Sequence, residues 1–463
     1  MTGIASRAVD FNMKKYIVVI LILFVILLVF PEIHVFRFLA APEPRLANQP
    51  LSEYKARRLR LLEQVKDGVI VIGGAHEDDF GDAGRFRQNN YFQYLTGVET
   101  PAAYLVLVPK AVADDKMARE FLFIPPRDAG SERWTGPQTG PGAEAEAAFG
   151  CERVISSADF DKFIKSLAVS AKLFYTIIPP KDDTTRPRER LFAERLKNLI
   201  GNAELKPVNR QIDRLRMTKS AAELALLQKA IDATGAAQAG VARALRPGVF
   251  EYELEAEILS AFLRSGAERA SFPAIVGSGI NATILHYDRN RKRIDDGDLV
   301  VVDIGAEYSY YAADITRTWP ATGRFTPRQR EVYELVLEAQ QRVAAMVKPG
   351  KTYLSALTDA TREIFRASRL RARDEQGHEQ TMDYFFIHAT GHYLGMEVHD
   401  VGDYGRPLQP GDVFTIEPGL YIPGEKLGVR IEDDYLVTAD GVSKLSAAIP
   451  GAPDEIEQLM KRK

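Results

Sequence analysis

Two stretches of this chain share one plan. Gly297-Asp298-Leu299-Val300-Val301-Val302-Asp303 and Gly411-Asp412-Val413-Phe414-Thr415-Ile416-Glu417 each run from a Gly-Asp turn through an apolar strand to an acid at its end. The elements before them repeat as well. Ser220 and Glu223 have capping-box spacing, and the Ala/Leu-rich helix they open reaches Arg246-Pro247-Gly248 before another helix begins near Phe250. Later, a helix from Arg328 reaches Lys348-Pro349-Gly350, and one more starts near Tyr353. Two half-domains, each of helices followed by a β-hairpin, fit an internal duplication with a site between the halves.

The strand-end acids define that site. Asp303 closes one apolar strand and Asp314 opens the next, over 314–318. With Tyr308-Ser309 at the hairpin centre, the two carboxylates stand opposite each other on one face, where like charges destabilise. Glu417 and Glu432 are equidistant from Gly424-Glu425 and face each other in the same way, although Pro418 can disturb that register. Any one of these acids alone reads as a solvated turn carboxylate. Two facing pairs require a shared proton or a bound cation. Hard oxygen ligands completed by one imidazole suit Mn²⁺, with Co²⁺, Fe²⁺ and Zn²⁺ as competitors. Of the seven histidines, His286, His388, His392 and His399 lie near the repeated strands. One can be a ligand, and the others can orient substrate or hydrogen-bond an oxyanion. His34, His76 and His378 read as ordinary core or surface residues.

A length of 463 residues exceeds one ordinary core, and the chain divides into a leading segment and linker (1–45), an α/β domain (46–212) and the duplicated domain (213–463). Short β-rich runs at 69–72, 103–108, 121–124 and 173–178 mark the α/β domain. Residues 52–65 read as an amphipathic helix with Arg57, Arg58 and Arg60 on a solvated face. The net charge of −3 gives no reason to invoke nucleic acid. The single cysteine, Cys151, excludes a disulfide framework and a multi-thiolate metal site and reads as a buried thiol. Residues 16–30 form an unbroken apolar run after Arg7, Lys14 and Lys15. The run is shorter than the roughly 20 residues of an ordinary span but long for a signal-peptide core. It predicts a short uncleaved transmembrane anchor with the catalytic part outside the cytoplasm, or else export after cleavage near Leu39-Ala40-Ala41.

The motifs of the duplicated part, taken together, resemble the proline-specific aminopeptidases (the aminopeptidase P family) of the pita-bread metallopeptidase superfamily. In the first half they are Ile284-Leu285-His286-Tyr287, Val302-Asp303-Ile304-Gly305 and Asp314-Ile315-Thr316-Arg317-Thr318. In the second they are Gly391-His392-Tyr393-Leu394-Gly395, Val398-His399-Asp400, Ile416-Glu417-Pro418-Gly419 and Gly428-Val429-Arg430-Ile431-Glu432-Asp433-Asp434. The α/β domain joins in through the run from Phe86 to Gly97 and through Arg127-Asp128 with Trp134. The resemblance departs at Asn89, where the family often carries an acid, and in the membrane segment.

The resemblance implies an α+β pita-bread domain behind a smaller α/β domain. It implies two divalent metal ions held by Asp303, Asp314, His392, Glu417 and Glu432, with Asp314 and Glu432 bridging. Glu417 also becomes the proton carrier, His286, His388 and His399 the substrate-orienting histidines, and Arg430 a support for an acidic ligand. The expected reaction is attack of a metal-bridging hydroxide on the carbonyl before proline, the substrates being peptides with proline second, in a chain that can form a homo-oligomer. The rivals are an Xaa-Pro dipeptidase of prolidase type with the same metal site, a metal-free binding protein on the same fold, and a metal-free creatinase-like amidinohydrolase.

Overall fold

The computed structural model describes residues 49–77, 85–112, 117–183 and 186–461. Six strands form one mixed sheet: β1 (Val69–Gly73), β2 (Tyr104–Leu107), β3 (Glu120–Ile124), β4 (Arg153–Ser156), β5 (Leu173–Thr176) and β6 (Glu204–Pro207), in the order β4-β3-β2-β1-β5-β6. The three central strands pair antiparallel, and β4, β5 and β6 join in parallel. Each of the four expected runs is a strand. β4 and β6 carry Arg153, Glu204 and Lys206 and offer no apolar run to read.

The expected first helix is Leu51–Gln64, but its arginines do not form a solvent face. Arg57 is 2 % and Arg58 0 % exposed. Arg58 donates to Glu120 at 2.9 Å and to Leu95 O at 3.0 Å, while the Arg57 guanidinium lies 3.3 Å from Glu223. Acids far away in the chain make burial of these cations tolerable, and no local charge pattern announces them. Asn89, the departure from the family pattern, caps the next helix, Asn90–Thr96: its side chain accepts from Phe92 N at 2.8 Å and donates to Gly73 O at 2.8 Å. Cys151 is buried, and burial pushes its thiol up to about 11.

The second part repeats itself as the sequence implies. Helices α1 (Ala221–Ala244) and α2 (Glu251–Arg264) precede strands β7 (Ile275–Ser278), β8 (Leu299–Ile304) and β9 (Ile315–Pro320). Helices α3 (Pro327–Met346) and α4 (Leu354–Ala367) precede β10 (Val413–Ile416), β11 (Gly419–Ile422), β12 (Leu427–Arg430) and β13 (Asp433–Val437). The reciprocal Ser220–Glu223 box that opens α1 recurs as Thr326–Gln329 at α3. Apolar side chains of all four helices and of the strands merge into one core. From the first helix of each half one glutamine reaches the strands. Gln238 donates to Val302 O and Ile315 O at 3.0 Å, and Gln340 to Ile416 O at 3.0 Å and Ile431 O at 3.2 Å.

The two hairpins differ in register. In the second, Ile416 pairs with Asp433 and Gly419 with Arg430, so Glu417 and Glu432 oppose each other across a ladder interrupted at Pro418, as expected. In the first, Asp303 pairs with Thr316. The turn is centred on Ser309-Tyr310, both left-handed at φ 47° and 71°, the geometry of a two-residue hairpin turn. Asp314 is therefore a diagonal neighbour of Asp303 on the same face, two residues from the opposed position the sequence suggests.

One expectation is overturned. Among the described residues no helix is long and apolar enough to cross a membrane, and the run 16–30 lies outside them. The transmembrane anchor, and with it the placement of the catalytic part outside the cytoplasm, is withdrawn. A run of that length already fell short of a full span.

Candidate metal centre

The expected acids converge. Asp303 and Asp314 are 7 % and 5 % exposed and Glu432 1 %; Glu417 is partly buried beside them. His392, on the segment between α4 and β10, turns Nε2 into the cluster, 3.3 Å from Asp314 Oδ2, 3.4 Å from Glu417 Oε1 and 3.9 Å from Glu432 Oε1. Its Nδ1 lies 3.1 Å from Tyr393 O. Donation there fixes the tautomer and leaves the Nε2 lone pair facing the carboxylates, as a metal-ligating histidine requires.

These acids are poorly compensated. Burial first, and then Glu432, Asp303 and Glu417, push Asp314 well above the usual carboxylate range. Burial and Glu417 do the same to Glu432. Burial lifts Glu417 to about 8, against Arg430 and with Asp303. Among the described residues one cation faces the cluster: Arg430, 2.7 Å from Asp303 Oδ2. Asp303 Oδ1 and Asp314 Oδ1 are buried and have no hydrogen-bond partner among the described residues. Orphaned carboxylate oxygens, beside three groups (Asp314, His392 and Glu432) whose donor atoms all lie within 4.8 Å of one another, fit divalent metal ions.

The other histidines flank the cluster unevenly. The His399 ring packs edge-on against His392 with centroids 4.2 Å apart. His388 is bonded on both nitrogens, Nδ1 to Ala389 O at 2.7 Å and Nε2 to Tyr421 OH at 2.8 Å. Arg430 donates to that phenol at 2.9 Å, so the phenol donates to a neutral His388, whose pKa burial and Arg430 lower to about 4. His286 is exposed, close enough for its charge to act on His388 and His399.

Four residues join the site that no motif singled out for a role. The Thr316 hydroxyl donates to Glu432 Oε2 at 2.7 Å and accepts from Arg430 Nε at 3.2 Å. The Thr415 hydroxyl sits between His392 N at 3.1 Å and Glu417 Oε1 at 3.3 Å. Tyr421 links Arg430 to His388. Asp434 accepts from the Asp314 amide at 3.3 Å, and burial raises its pKa far above normal. Strand alternation was the available signal: Thr316 is the partner of Asp303, and Thr415 shares a face with Glu417.

A carboxylate cluster with one imidazole, set between two duplicated halves, defines a metal-dependent hydrolase. Residues 225–439 match the model of metallopeptidase family M24, and residues 54–175 match the aminopeptidase P N-terminal domain. The Xaa-Pro aminopeptidase of Escherichia coli K12 is 35 % identical over 88 % of this chain and 97 % of its own length. The solved proline aminopeptidase P II from Yersinia pestis superposes with a TM-score of 0.79 at 36 % identity, covering 89 % of this chain and 99 % of that one. Zinc-substituted E. coli aminopeptidase P in complex with product gives 0.79 at 33 %, covering 89 % and 98 %. The chain belongs to the aminopeptidase P family.

Proposed function

We propose that Asp303, Asp314, His392, Glu417 and Glu432 would hold two divalent metal ions, for which Mn²⁺ suits the oxygen-rich set best. The chain is a metal-dependent aminopeptidase that removes the N-terminal residue in front of proline. We assign residues 46–212 to its N-terminal domain and 213–463 to its catalytic domain. The observation that carries the site reading is the convergence of these four acids with, among the described residues, Arg430 as their one close cation.

Bound metal supplies Lewis acidity and lowers the pKa of water toward neutrality. The protein's own groups do the rest. Glu417, which would be ionised once metal lies against it, takes the proton from the attacking water and passes it to the departing proline nitrogen. His399 or His286 donates to the oxygen that gains charge. Arg430 holds Asp303 and, through Tyr421, sets His388. An open groove of about 820 Å³ runs from His388 past Phe386, Ile387, Tyr384 and Arg362.

Metal analysis of the purified chain, combined with hydrolysis of Xaa-Pro tripeptides and dipeptides with added Mn²⁺ or chelator, tests this. Two ions per chain and chelator-sensitive cleavage of the tripeptide are expected. Undiminished hydrolysis after complete removal of metal would sink the reading.

A further inference from the structure

His399 stands on a short loop, 396–400, that is folded tightly on itself. Asp400 N donates to Tyr393 O at 2.9 Å and Gly395 N to Glu397 O at 3.2 Å. A Cβ on Gly395 would lie 2.0 Å from Asp400 Oδ2, so only glycine there lets the Asp400 carboxylate turn inward. That carboxylate receives Arg216 at 2.6 Å and Lys219 at 3.1 Å. Glu397 receives Asn90 Nδ2 at 2.9 Å and has Arg186 at 3.6 Å and Arg216 at 3.7 Å. The Met396 carbonyl accepts from Arg87 and Asn90, both at 3.4 Å.

Most of these partners come from elsewhere in the chain. Arg87, Asn90 and Arg186 belong to the part that carries the six-stranded sheet, and Arg216 to the helix Asn209–Met217 that leads out of it. The loop around His286 is held quite differently. Glu251, on α2 of the same half, accepts from Ser278 N and Oγ, Asn281 Nδ2, Tyr287 OH and Lys292 N at 2.8–3.1 Å. One histidine loop is fastened within its own half, the other in part from the N-terminal domain through Arg87, Asn90 and Arg186.

We infer that the N-terminal domain is a positioning element of the reaction: by gripping Met396 and Glu397 through Arg87, Asn90 and Arg186 it sets where the His399 ring stands beside His392. Asn90 and Arg186 then act on turnover through a histidine they do not touch. The inference rests on the role proposed for His399. Asn90→Asp places a second carboxylate against Glu397 and loosens the grip more than Asn90→Ala. Arg186→Ala alters a side chain 27 % exposed and is the change least able to disturb folding.

The test uses the full chain loaded with Mn²⁺, with kcat and KM measured on an Xaa-Pro tripeptide in the wild-type and His399→Ala backgrounds. Amide hydrogen exchange is followed over 396–400 in the same proteins, and metal content is checked in each. In the wild-type background Asn90→Asp is expected to lower kcat by about tenfold to a hundredfold, the scale of a small misplacement of a catalytic group, with KM changing less. Arg186→Ala should act in the same direction and more weakly. In the His399→Ala background both losses should vanish, because changes acting through one group do not add, and exchange over 396–400 should quicken in both variants. Equal losses in the two backgrounds, or unchanged exchange, would overturn the inference. A His399→Ala chain of unaltered turnover would instead overturn the role given to His399, and with it this route to turnover, even where exchange shows the loop released.

Discussion

Glu432 and Asp433 are neighbours in the chain, and both are buried, yet they point to opposite sides of one strand pair into unlike surroundings. On the inner side Glu432 meets Asp314, Glu417 and His392, and its pKa is driven far up. On the outer side Asp433 accepts from Arg317 at 2.7 Å, Lys444 at 2.7 Å, Ser446 at 2.6 Å and Gln340 at 3.0 Å, and these cations hold it below the usual range despite its burial. The support side arrives with its own counter-charges; the site side depends on charges brought from outside. That contrast separates a carboxylate that holds the fold together from one kept for a metal.

Removing an acid from the site side should produce the largest change. Asp314→Ala is expected to abolish turnover and reduce bound metal below two ions per chain. The urea midpoint of the metal-stripped protein should not fall, because a repelling charge has gone. A lower midpoint would place Asp314 with the structural acids. Cutting the support side should do the reverse. Arg317→Met leaves Asp433 with Lys444 as its cation and unpairs the Thr316, Glu432, Ile449 and Pro450 carbonyls, and should cost about 3–5 kcal/mol of stability, read from urea unfolding, while the folded fraction keeps its metal stoichiometry. Arg430 pairs with Asp303 on the site side, and Arg430→Gln should lower metal affinity or kcat about 10- to 100-fold; titration with Mn²⁺ would settle which.

The smallest effect is a dependence on pH. In the metal-free chain the raised carboxyl of Glu417 keeps its proton to about pH 8, whereas the unfolded chain releases it at the ordinary value. The native state therefore holds more protons, and stability falls as pH rises through that window. His388 and His392 are lowered to about 4. Their contribution is complete above the ordinary histidine value and is lost only as pH falls. Between about pH 6.5 and 8 the acids act alone, so the Tm of chelator-treated protein should decline there, and saturating Mn²⁺ should flatten the slope. A Tm that rises across this range without metal would contradict the account of the inner side.

The inner side was legible because chemistry left a mark on local pattern: an acid closing an apolar strand, twice, with histidines near by. The register of Glu417 and Glu432 followed from counting about the turn. That of Asp303 and Asp314 did not, because Ser309 and Tyr310 are not residues that favour left-handed backbone. Remote partners hold this turn: Glu268 accepts from Ser309 N at 2.8 Å, and the Tyr310 phenol donates to Glu99 at 2.8 Å while the Arg87 guanidinium lies over its ring. Arg57 and Arg58 misled for the same reason, their partners Glu223 and Glu120 lying far along the chain. Thr316 and Tyr421 carry no charge pattern, and only the folded strands show what they touch.

Gln238 and Gln340 carry a consequence for how such a cleft can be tuned. Each sends one amide, from behind, to a backbone carbonyl next in sequence to each acid of its half. Besides the strand ladder, the gap between the two carboxylates of a half is thus braced by a single side chain on the far side of the strands. Lengthening or shortening that tether would widen or narrow the mouth between the acids while every group that faces substrate stayed the same.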